Sequence, residues 1–474
     1  MSAHHLLQAS EEHSFGNRST FNGFTRLRAL FSHFFLFSSR GLWAFFSFVL
    51  VCSGFFAFAC LGTKGALNSQ VLQINMIASL LFATYFTVVA GAVELFDRNI
   101  RLNMSRSLRR ILWALFFAIV FSVATLVIVF YLKIGRYALV SGVLGSFVFV
   151  FAAFSVVAYL CRRNSLLICF IGERSEISKE IKKQMRSDSF YHYMHFSDAQ
   201  IESKDPRAFV QELKDFGILD IVVHSESLSS RFSHFALAAL QSGIRIIDEH
   251  SYYADFFGRY PVSEMTAKEI ISQNFQSPSP LQALIKRAVD FMLSFLLLLL
   301  TSPIMILVAL AIKLSSNGSV LFSQKRQGIF SNEFSLLKFR SMEVCEVEDT
   351  YNLACLNDPR ITKLGAFLRK THLDELPQLW NIFKGEMSFV GPRPETTEIC
   401  KRISEFQPAF EIRHMLRPGL TGLAQLNFGK TLYSESEINT KLSYDLYYVK
   451  NFSLILDTWL ISRTAVEVFK GISW

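Results

Sequence analysis

The chain has 474 residues, of which 51% are hydrophobic and 48 are phenylalanine. With a mean hydropathy of +0.30, this composition excludes one ordinary soluble globule and predicts a membrane protein of about three structural units. The net charge of +9 favours contact with anionic lipid headgroups or phosphorylated substrates, whereas nucleic acid is not an expected partner because zinc-finger spacing and basic helices are missing.

The first part of the chain predicts a cytoplasmic tail followed by a membrane unit. Residues 1–40 are polar and mixed, which is not typical of a cleavable signal peptide. Four apolar stretches of spanning length follow, at 41–61, 72–94, 111–132 and 138–161. Arginines are concentrated in the tail, between the second and third stretches and after the fourth, so the positive-inside rule puts both ends of the unit 41–161 in the cytoplasm.

Residues 162–262 predict a small Rossmann-like α/β domain. A buried strand at 165–172 precedes a charged helix at 173–187, and shorter strands are expected at 218–224 and 244–247. Only Gly172 occupies the first strand-to-helix turn, and the Gly-x-Gly-x-x-Gly pattern is missing. We therefore expect a structural or regulatory domain that does not bind NAD, followed by a linker at 263–283.

A fifth uncharged run of spanning length occupies 291–312. Basic residues stand on both sides of it, including Lys286 and Arg287 before it, so charge gives no orientation. Ser302 and Pro303 lie at its centre, and a proline kinks a helix because it removes one backbone hydrogen bond. These features alone support a membrane span and a re-entrant helix equally.

Five short motifs lie close together in the last part of the chain. They are KFRSM at 338–342, NDPRIT at 357–362, LDELPQLWN at 373–381, VGPRPE at 390–395 and RPGLTG at 417–422. In this order they resemble the bacterial sugar transferase family, the polyprenyl-phosphate phosphoglycosyl transferases with a re-entrant helix. The resemblance covers 284–474. One departure is His372, where this family usually has serine or threonine.

The rest of the chain resembles the long form of this family, which includes undecaprenyl-phosphate glucose and galactose phosphotransferases. The resemblance implies transfer of a hexose 1-phosphate from a UDP-hexose to undecaprenyl phosphate, as the first membrane step of exopolysaccharide, O-antigen or capsule synthesis. It implies the bacterial inner membrane, with an α+β catalytic domain at 284–474 on the cytoplasmic face. The segment at about 284–312 would then re-enter the membrane, since UDP-sugars are cytoplasmic.

Asp374 and Glu375 are the candidate catalytic pair. Taken alone, adjacent carboxylates near a helix start more often cap it, and Thr371-x-x-Asp374 matches a capping box. A carboxylate at a helix N-terminus is expected to have a lowered pKa, and an ionised carboxylate can attack phosphorus. The resemblance assigns Asp374 as the nucleophile of a covalent intermediate and Glu375 as a ligand of Mg²⁺, which favours carboxylates together with substrate phosphates.

Several basic residues are candidate phosphate ligands. Arg393 stands between two prolines in a stiff loop that presents its guanidinium, while Lys338, Arg340 and Arg360 are candidates for the phosphate or nucleotide site. Lys286 and Arg287 are candidates for attracting the lipid headgroup.

Two other functions stay open from the sequence. One is an inactive membrane scaffold for polysaccharide export, and the other is a membrane-bound nucleotide-sugar dehydratase. The identity of the hexose and the formation of a homodimer are left undecided by these patterns. The amphipathic segment 452–469 fits either the membrane surface or a protein core.

Overall fold

The computed structural model describes residues 12–13, 40–62, 69–92, 95, 104–128, 136–163, 166–173, 175–187, 191–224, 230–315, 318–342, 360–428 and 434–469. The chain divides between Pro261 and Val262 into two compact units. Most of the predicted cytoplasmic tail and residues 357–359 of the second motif lie outside the described residues.

Four long helices begin the first unit, at the four apolar stretches of the sequence. They are α1 (Arg40–Gly62), α2 (Ser69–Ala92), α3 (Met104–Ile128) and α4 (Arg136–Arg163). Among the described residues, four helices are long and apolar enough to cross a membrane: α1, α2, α4 and a later helix, Pro280–Ser315. The apolar part of α3, Arg110–Val123, is shorter. A Cβ on Gly145 would lie 2.6 Å from the Gly54 carbonyl oxygen, so glycine lets α1 and α4 approach closely.

A five-stranded sheet completes the first unit, in the order β1-β3-β2-β4-β5. Its strands are β1 (Glu12–His13), β2 (Leu166–Ile171), β3 (Tyr191–Phe196), β4 (Asp220–Val223) and β5 (Arg245–Asp248). The four strands β2 to β5 run parallel, while β1 pairs antiparallel with β3. The helices of this part are α5 (Glu176–Ser187), α6 (Asp198–Glu202), α7 (Pro206–Asp215), α8 (Ser230–Gln241) and α9 (Glu249–Phe257).

The sequence analysis found three of these parallel strands and missed β3. Its sequence, Tyr-His-Tyr-Met-His-Phe, is almost fully buried between its neighbours, although two histidines made it look polar. The strands nevertheless form the expected α/β sheet, and its likeness to dinucleotide-binding domains stays a prediction.

The second unit contains the long helix α11 and a compact α+β arrangement. Its helices are α10 (Ala267–Ser272), α11 (Pro280–Ser315), α12 (Lys363–Lys370), α13 (Gln378–Lys384), α14 (Thr397–Phe406), α15 (Leu423–Phe428), α16 (Glu435–Lys450) and α17 (Leu454–Phe469). Its strands are β6 (Leu321–Gln327), β7 (Glu333–Phe339), β8 (Ser388–Val390) and β9 (Gly419–Thr421). The segment predicted as a linker contains α10, which begins with a capping box between Thr266 and Glu269.

Two short sheets bring the motifs together. Strands β6 and β7 form an antiparallel hairpin, and β8 pairs in parallel with β9. A Cβ on Gly391 would lie 2.3 Å from the Arg417 carbonyl oxygen, and a Cβ on Gly419 would lie 2.1 Å from the Gly391 nitrogen. Only glycine therefore allows the loops of the VGPRPE and RPGLTG motifs to cross at this distance.

Helix α11 continues through Pro303, so the expected break at Ser302 and Pro303 is not an interruption of the helix. Pro303 cannot donate a hydrogen bond to the Leu299 carbonyl. The Ser302 hydroxyl donates to that carbonyl instead, at 2.8 Å. The hydroxyl thus satisfies the Leu299 carbonyl, which has no backbone donor at Pro303. The re-entrant path stays a prediction.

Both halves of α11 pack against the second unit's own core. Leu293, Leu297 and Leu298 of the first half pack in a cluster around α13 and α17. Val308 and Ile312 of the second half pack in a cluster around β7 and α12. In α17, Trp459 and Leu460 are buried in the first cluster. At these two positions the apolar side of the segment 452–469 therefore packs in the protein core.

The buried carboxylate of Asp290 joins α11 to β8, because its Oδ1 accepts from the Phe389 backbone N–H at 3.2 Å. We expect Asp290→Ala to lower the free energy of unfolding by about 1–3 kcal/mol, since it leaves that buried donor without an acceptor. Asp290→Asn keeps an acceptor oxygen and should lose much less. Thermal unfolding of the purified protein in detergent measures both, and equal melting of Asp290→Ala and wild type would contradict the account.

Candidate active site

Asp374 and Glu375 lie in a short 3₁₀ turn, Leu373–Glu375, between α12 and α13. The capping box, which was the alternative to a catalytic role, does not form, because Thr371 ends the preceding helix and its hydroxyl donates to the Phe367 carbonyl at 2.8 Å. His372 then has a φ of 57°, a left-handed conformation that few residues other than glycine adopt. This reversal ends α12 and directs the chain into the turn that carries the two carboxylates.

Glu375 is held by two cations. Its Oε1 accepts from Lys338 Nζ at 2.7 Å and from Arg393 Nη2 at 3.1 Å. Burial tends to raise the pKa of Glu375, but the two cations outweigh it and lower this pKa to about 2. Three segments that are distant in sequence, β7, the 3₁₀ turn and the VGPRPE loop, therefore meet at one ionised carboxylate.

Asp374 has the opposite electrostatic environment. It is only 7% exposed, and burial together with the adjacent Glu375 raises its pKa to about 6, against the attraction of Lys338 and Arg369. The expectation of a lowered pKa is wrong, because Asp374 lies in a buried turn and not at the N-terminus of a long helix. At neutral pH the carboxylate is still mostly ionised and poorly solvated.

The loop that carries Arg393 rests on a buried arginine that the sequence analysis missed. Arg413 is 1% exposed; it pairs with Asp445 at 3.0 Å and donates from Nη2 to the Arg393 carbonyl at 2.6 Å. Glu395, two residues beyond Arg393, is buried and pairs with Lys441. These contacts fix the backbone of the loop while the Arg393 side chain reaches Glu375.

The other candidate residues are placed in different ways. Lys338 contacts Glu375 in the site, whereas Arg340 is buried and its backbone N–H donates to the Val320 carbonyl. Arg360 directly precedes Ile361, which bridges to Met342 after β7. The nucleotide-binding roles of Arg340 and Arg360 stay predictions.

Lys286 and Arg287 both contact the domain itself. Lys286 pairs with Asp457 at 2.5 Å, and Arg287 donates to the carbonyls of Ile382 and Phe383 at 2.7 and 2.6 Å. Arg287 therefore caps the C-terminus of α13. These contacts give the two residues a structural role, and their expected contact with a lipid headgroup stays a prediction.

The two adjacent carboxylates fit Mg²⁺, which takes one or two carboxylates together with substrate phosphates. Both cations of Glu375 contact Oε1, so the metal would meet Oε2. Within the described ranges, no group of three or more histidine, cysteine, aspartate or glutamate residues is arranged as a metal site.

Comparison with known proteins identifies relatives of the second unit. The family model for bacterial sugar transferases matches residues 281–471. The exopolysaccharide production protein PSS of Rhizobium leguminosarum bv. phaseoli is 42% identical over 201 residues, which are 40% of this chain and 96% of that protein.

Two longer relatives also match part of the chain. The UDP-glucose:undecaprenyl-phosphate glucose-1-phosphate transferase of Escherichia coli K12 is 40% identical over 212 residues, 44% of this chain and 45% of that protein. The UDP-N-acetylgalactosamine-undecaprenyl-phosphate N-acetylgalactosaminephosphotransferase of Aeromonas hydrophila is 38% identical over 194 residues, 41% of this chain and 46% of that protein. The match therefore spans less than half the length of these two proteins.

The opposite pKa shifts of the pair predict opposite effects on stability. The pKa of Asp374 is higher in the folded protein than in the unfolded chain, so this group lowers the free energy of unfolding as pH rises from about 4 to about 6. Asp374→Asn removes this cost. At pH 7.5 the variant should be more stable than wild type by about 1–3 kcal/mol, whereas at pH 4 it should not be. Glu375→Gln should be less stable at pH 7.5, because the lowered pKa contributes stability above about pH 4. Thermal unfolding at both pH values tests this, and destabilisation by Asp374→Asn at pH 7.5 would contradict it.

Proposed function

Because the chain belongs to the bacterial sugar transferase family, we propose that it transfers a hexose 1-phosphate from a UDP-hexose to undecaprenyl phosphate and releases UMP. The observation that carries this proposal is the buried Asp374 beside a Glu375 that is fixed by Lys338 and Arg393. The names of the Escherichia coli and Aeromonas hydrophila relatives specify glucose 1-phosphate and N-acetylgalactosamine phosphate transfer to the same lipid. UDP-glucose and UDP-N-acetylgalactosamine are therefore the first substrates to test.

The first chemical step is attack by Asp374 on the β-phosphorus of the UDP-hexose. An aspartate oxygen forms a bond to phosphorus while the bond between that phosphorus and the UMP oxygen breaks, so UMP leaves and a sugar-phosphoryl aspartate forms. An ionised Asp374 needs no base for this step. Burial makes the carboxylate poorly solvated, which favours its reaction with a phosphate held by neighbouring cations.

The second step transfers the group to the lipid. An oxygen of undecaprenyl phosphate attacks the same phosphorus, the bond to Asp374 breaks, and the undecaprenyl diphosphate sugar forms with the carboxylate restored. Arg393, which contacts Glu375, would hold phosphate oxygens in both steps. Mg²⁺ on Glu375 and Asp374 would neutralise the negative charge of the diphosphate.

The packing of α11 supports a re-entrant path. Both halves of this helix contribute to the core of one domain, and a helix that crossed the bilayer would carry one half away from that domain. We therefore place the catalytic domain on the cytoplasmic face of the inner membrane, where UDP-sugars are available. The product would be the first lipid-linked intermediate of a surface polysaccharide.

The covalent step predicts that labelled sugar stays with the protein. We expect wild type, incubated without acceptor with a UDP-hexose labelled in the sugar and then denatured, to retain label that undecaprenyl phosphate removes when it is added before denaturation. Asp374→Asn should retain none and should lose turnover by several powers of ten, because it lacks the nucleophile. Glu375→Gln keeps Asp374 and should retain some label at a lower rate.

Two results would contradict this function. Chaseable label on Asp374→Asn would place the nucleophile elsewhere, and sugar transfer without any covalent species would indicate direct transfer to the lipid. A scaffold would release no UMP from any UDP-hexose, and a dehydratase would change the sugar without releasing UMP.

The topology can be tested independently of activity. Asn332 is exposed in the turn between β6 and β7, so a single cysteine there, in a chain without its native cysteines, should not react with an impermeant maleimide in intact cells. It should react after permeabilisation. A cysteine at Ala66, in the loop predicted to face the periplasm, is the control that should react in both conditions. Ready labelling at 332 in intact cells would show that α11 crosses the membrane.

A further inference from the structure

Arg369 is a further cation next to the catalytic pair, and the sequence motifs did not identify it. It lies in the last turn of α12, shortly before the turn that carries Asp374. Leu368 and Leu373 pack in one apolar cluster, so the end of α12 lies against this turn. Burial and Glu375 raise the pKa of Asp374, whereas the positive charges of Lys338 and Arg369 act to lower it. Because charges act on a pKa at short range, the Arg369 guanidinium lies close to the nucleophile.

The Arg369 guanidinium is held in place through one of its nitrogens. Its Nε donates to the Ser341 hydroxyl at 2.9 Å. Ser341 is buried, and α12 approaches it closely, since a Cβ on Gly365 would lie 1.9 Å from the Ser341 carbonyl oxygen. Within the described ranges, Nη1 and Nη2 of Arg369 have no hydrogen-bond partner, and the guanidinium forms no ion pair. A fixed guanidinium with two unused nitrogens suits bidentate binding of phosphate oxygens.

The other cations of the site are already in contact with a carboxylate. Lys338 and Arg393 both donate to Oε1 of Glu375, which balances part of their charge. The second step brings another phosphate to a site that already holds the sugar phosphate on Asp374. A phosphate monoester carries more than one negative charge at neutral pH, so the incoming group needs a cation of its own. Half-buried Arg369 is suited to supply it.

We propose that Arg369 binds the phosphate of the lipid acceptor in the second step; this inference rests on the proposed function. Leu364 and Leu368 of α12 pack in one cluster with Val308 and Ile312 of α11, and α11 is long and apolar enough to cross a membrane. Helix α12 therefore lies directly on the membrane helix, on the side from which a lipid phosphate arrives.

The position of Arg369 also defines what the bound phosphate can do. Its two free nitrogens would hold two terminal oxygens of the acceptor phosphate, while the third terminal oxygen attacks the phosphorus bound to Asp374. The bond from that phosphorus to the aspartate oxygen then breaks, and no proton has to move when the acceptor phosphate is a dianion. A phospholipid of the bilayer is not the expected occupant, because Arg369 acts on a carboxylate that is only 7% exposed.

Discharge of the covalent intermediate separates the acceptor phosphate from the donor phosphates. Protein in detergent is loaded with a UDP-hexose labelled in the sugar and freed of excess donor. The label that remains is then measured against the concentration of undecaprenyl phosphate, relative to the label at the start. Arg369→Gln should need about ten- to a hundredfold more acceptor for half-discharge, as expected for lost charge-assisted hydrogen bonds.

Two further variants make this comparison specific. Arg369→Lys keeps the charge but loses the planar fork and the contact with Ser341, so it should need less acceptor than Arg369→Gln and more than wild type. Lys370→Gln removes the adjacent charge, which is exposed on the same helix, and should discharge like wild type.

Direct binding isolates the phosphate without requiring turnover. The probes are farnesyl phosphate and farnesol, which share the same isoprene units, measured with the full-length protein in detergent. The ratio of the two affinities gives the contribution of the phosphate, and Arg369→Gln should lower this ratio about ten- to a hundredfold. An equal loss of affinity for both probes would overturn the proposal, because Arg369 would then support the structure of the site and not bind the phosphate.

The discharge experiment can also overturn the proposal. Equal half-discharge concentrations for wild type and Arg369→Gln would do so. A variant that forms less intermediate but discharges it like wild type would also do so, because Arg369 would then bind the donor. If wild type forms no intermediate and releases no UMP from any UDP-hexose, the transferase assignment is wrong, while the ratio of farnesyl phosphate to farnesol binding still decides whether Arg369 binds a lipid phosphate.

Discussion

One oxygen of Glu375 joins the parts of the site. Lys338 from β7 and Arg393 from the VGPRPE loop both donate to Oε1, and the turn that carries this carboxylate also carries Asp374. Removing either cation would leave the partly buried Glu375 carboxylate with one cation instead of two, which is costly in a protein interior. The spacing between Asp374 and the Arg393 guanidinium therefore depends on this shared contact.

The same contact gives the two neighbouring carboxyl groups different pKa values. Glu375 is held ionised with a pKa of about 2, while burial and the charge of Glu375 raise the pKa of Asp374 to about 6. Pairs of titratable groups pushed apart in this way have distinct chemical roles. Here the fixed charge belongs to a residue that organises cations, and the poorly solvated carboxylate is the one suited to attack.

Much of this arrangement was predictable from local sequence. The motifs identified Asp374, Glu375, Lys338 and Arg393, and the structure brings these four together. The apolar stretches followed from their length and composition, and three of the nine described strands, β2, β4 and β5, were predicted. The supporting contacts did not, because Arg413 and the pairing of Arg287 with α13 depend on long-range packing.

One alternative and one expectation failed for physical reasons. The capping box from Thr371 to Asp374, the alternative to a catalytic role, does not form because His372 reverses the backbone between them, and that conformation has no reliable signal in a histidine. The expected low pKa of Asp374 failed with it, since no long helix begins at this residue.

Peptide mapping by mass spectrometry tests the central claim most directly. Wild type is incubated with a UDP-hexose in the absence of acceptor, quenched in acid and digested. The account predicts one added hexose phosphate, located on Asp374, while Glu375 in the same peptide is unmodified. An adduct on Glu375 would contradict it, because a carboxylate held by Lys338 and Arg393 would then be the nucleophile.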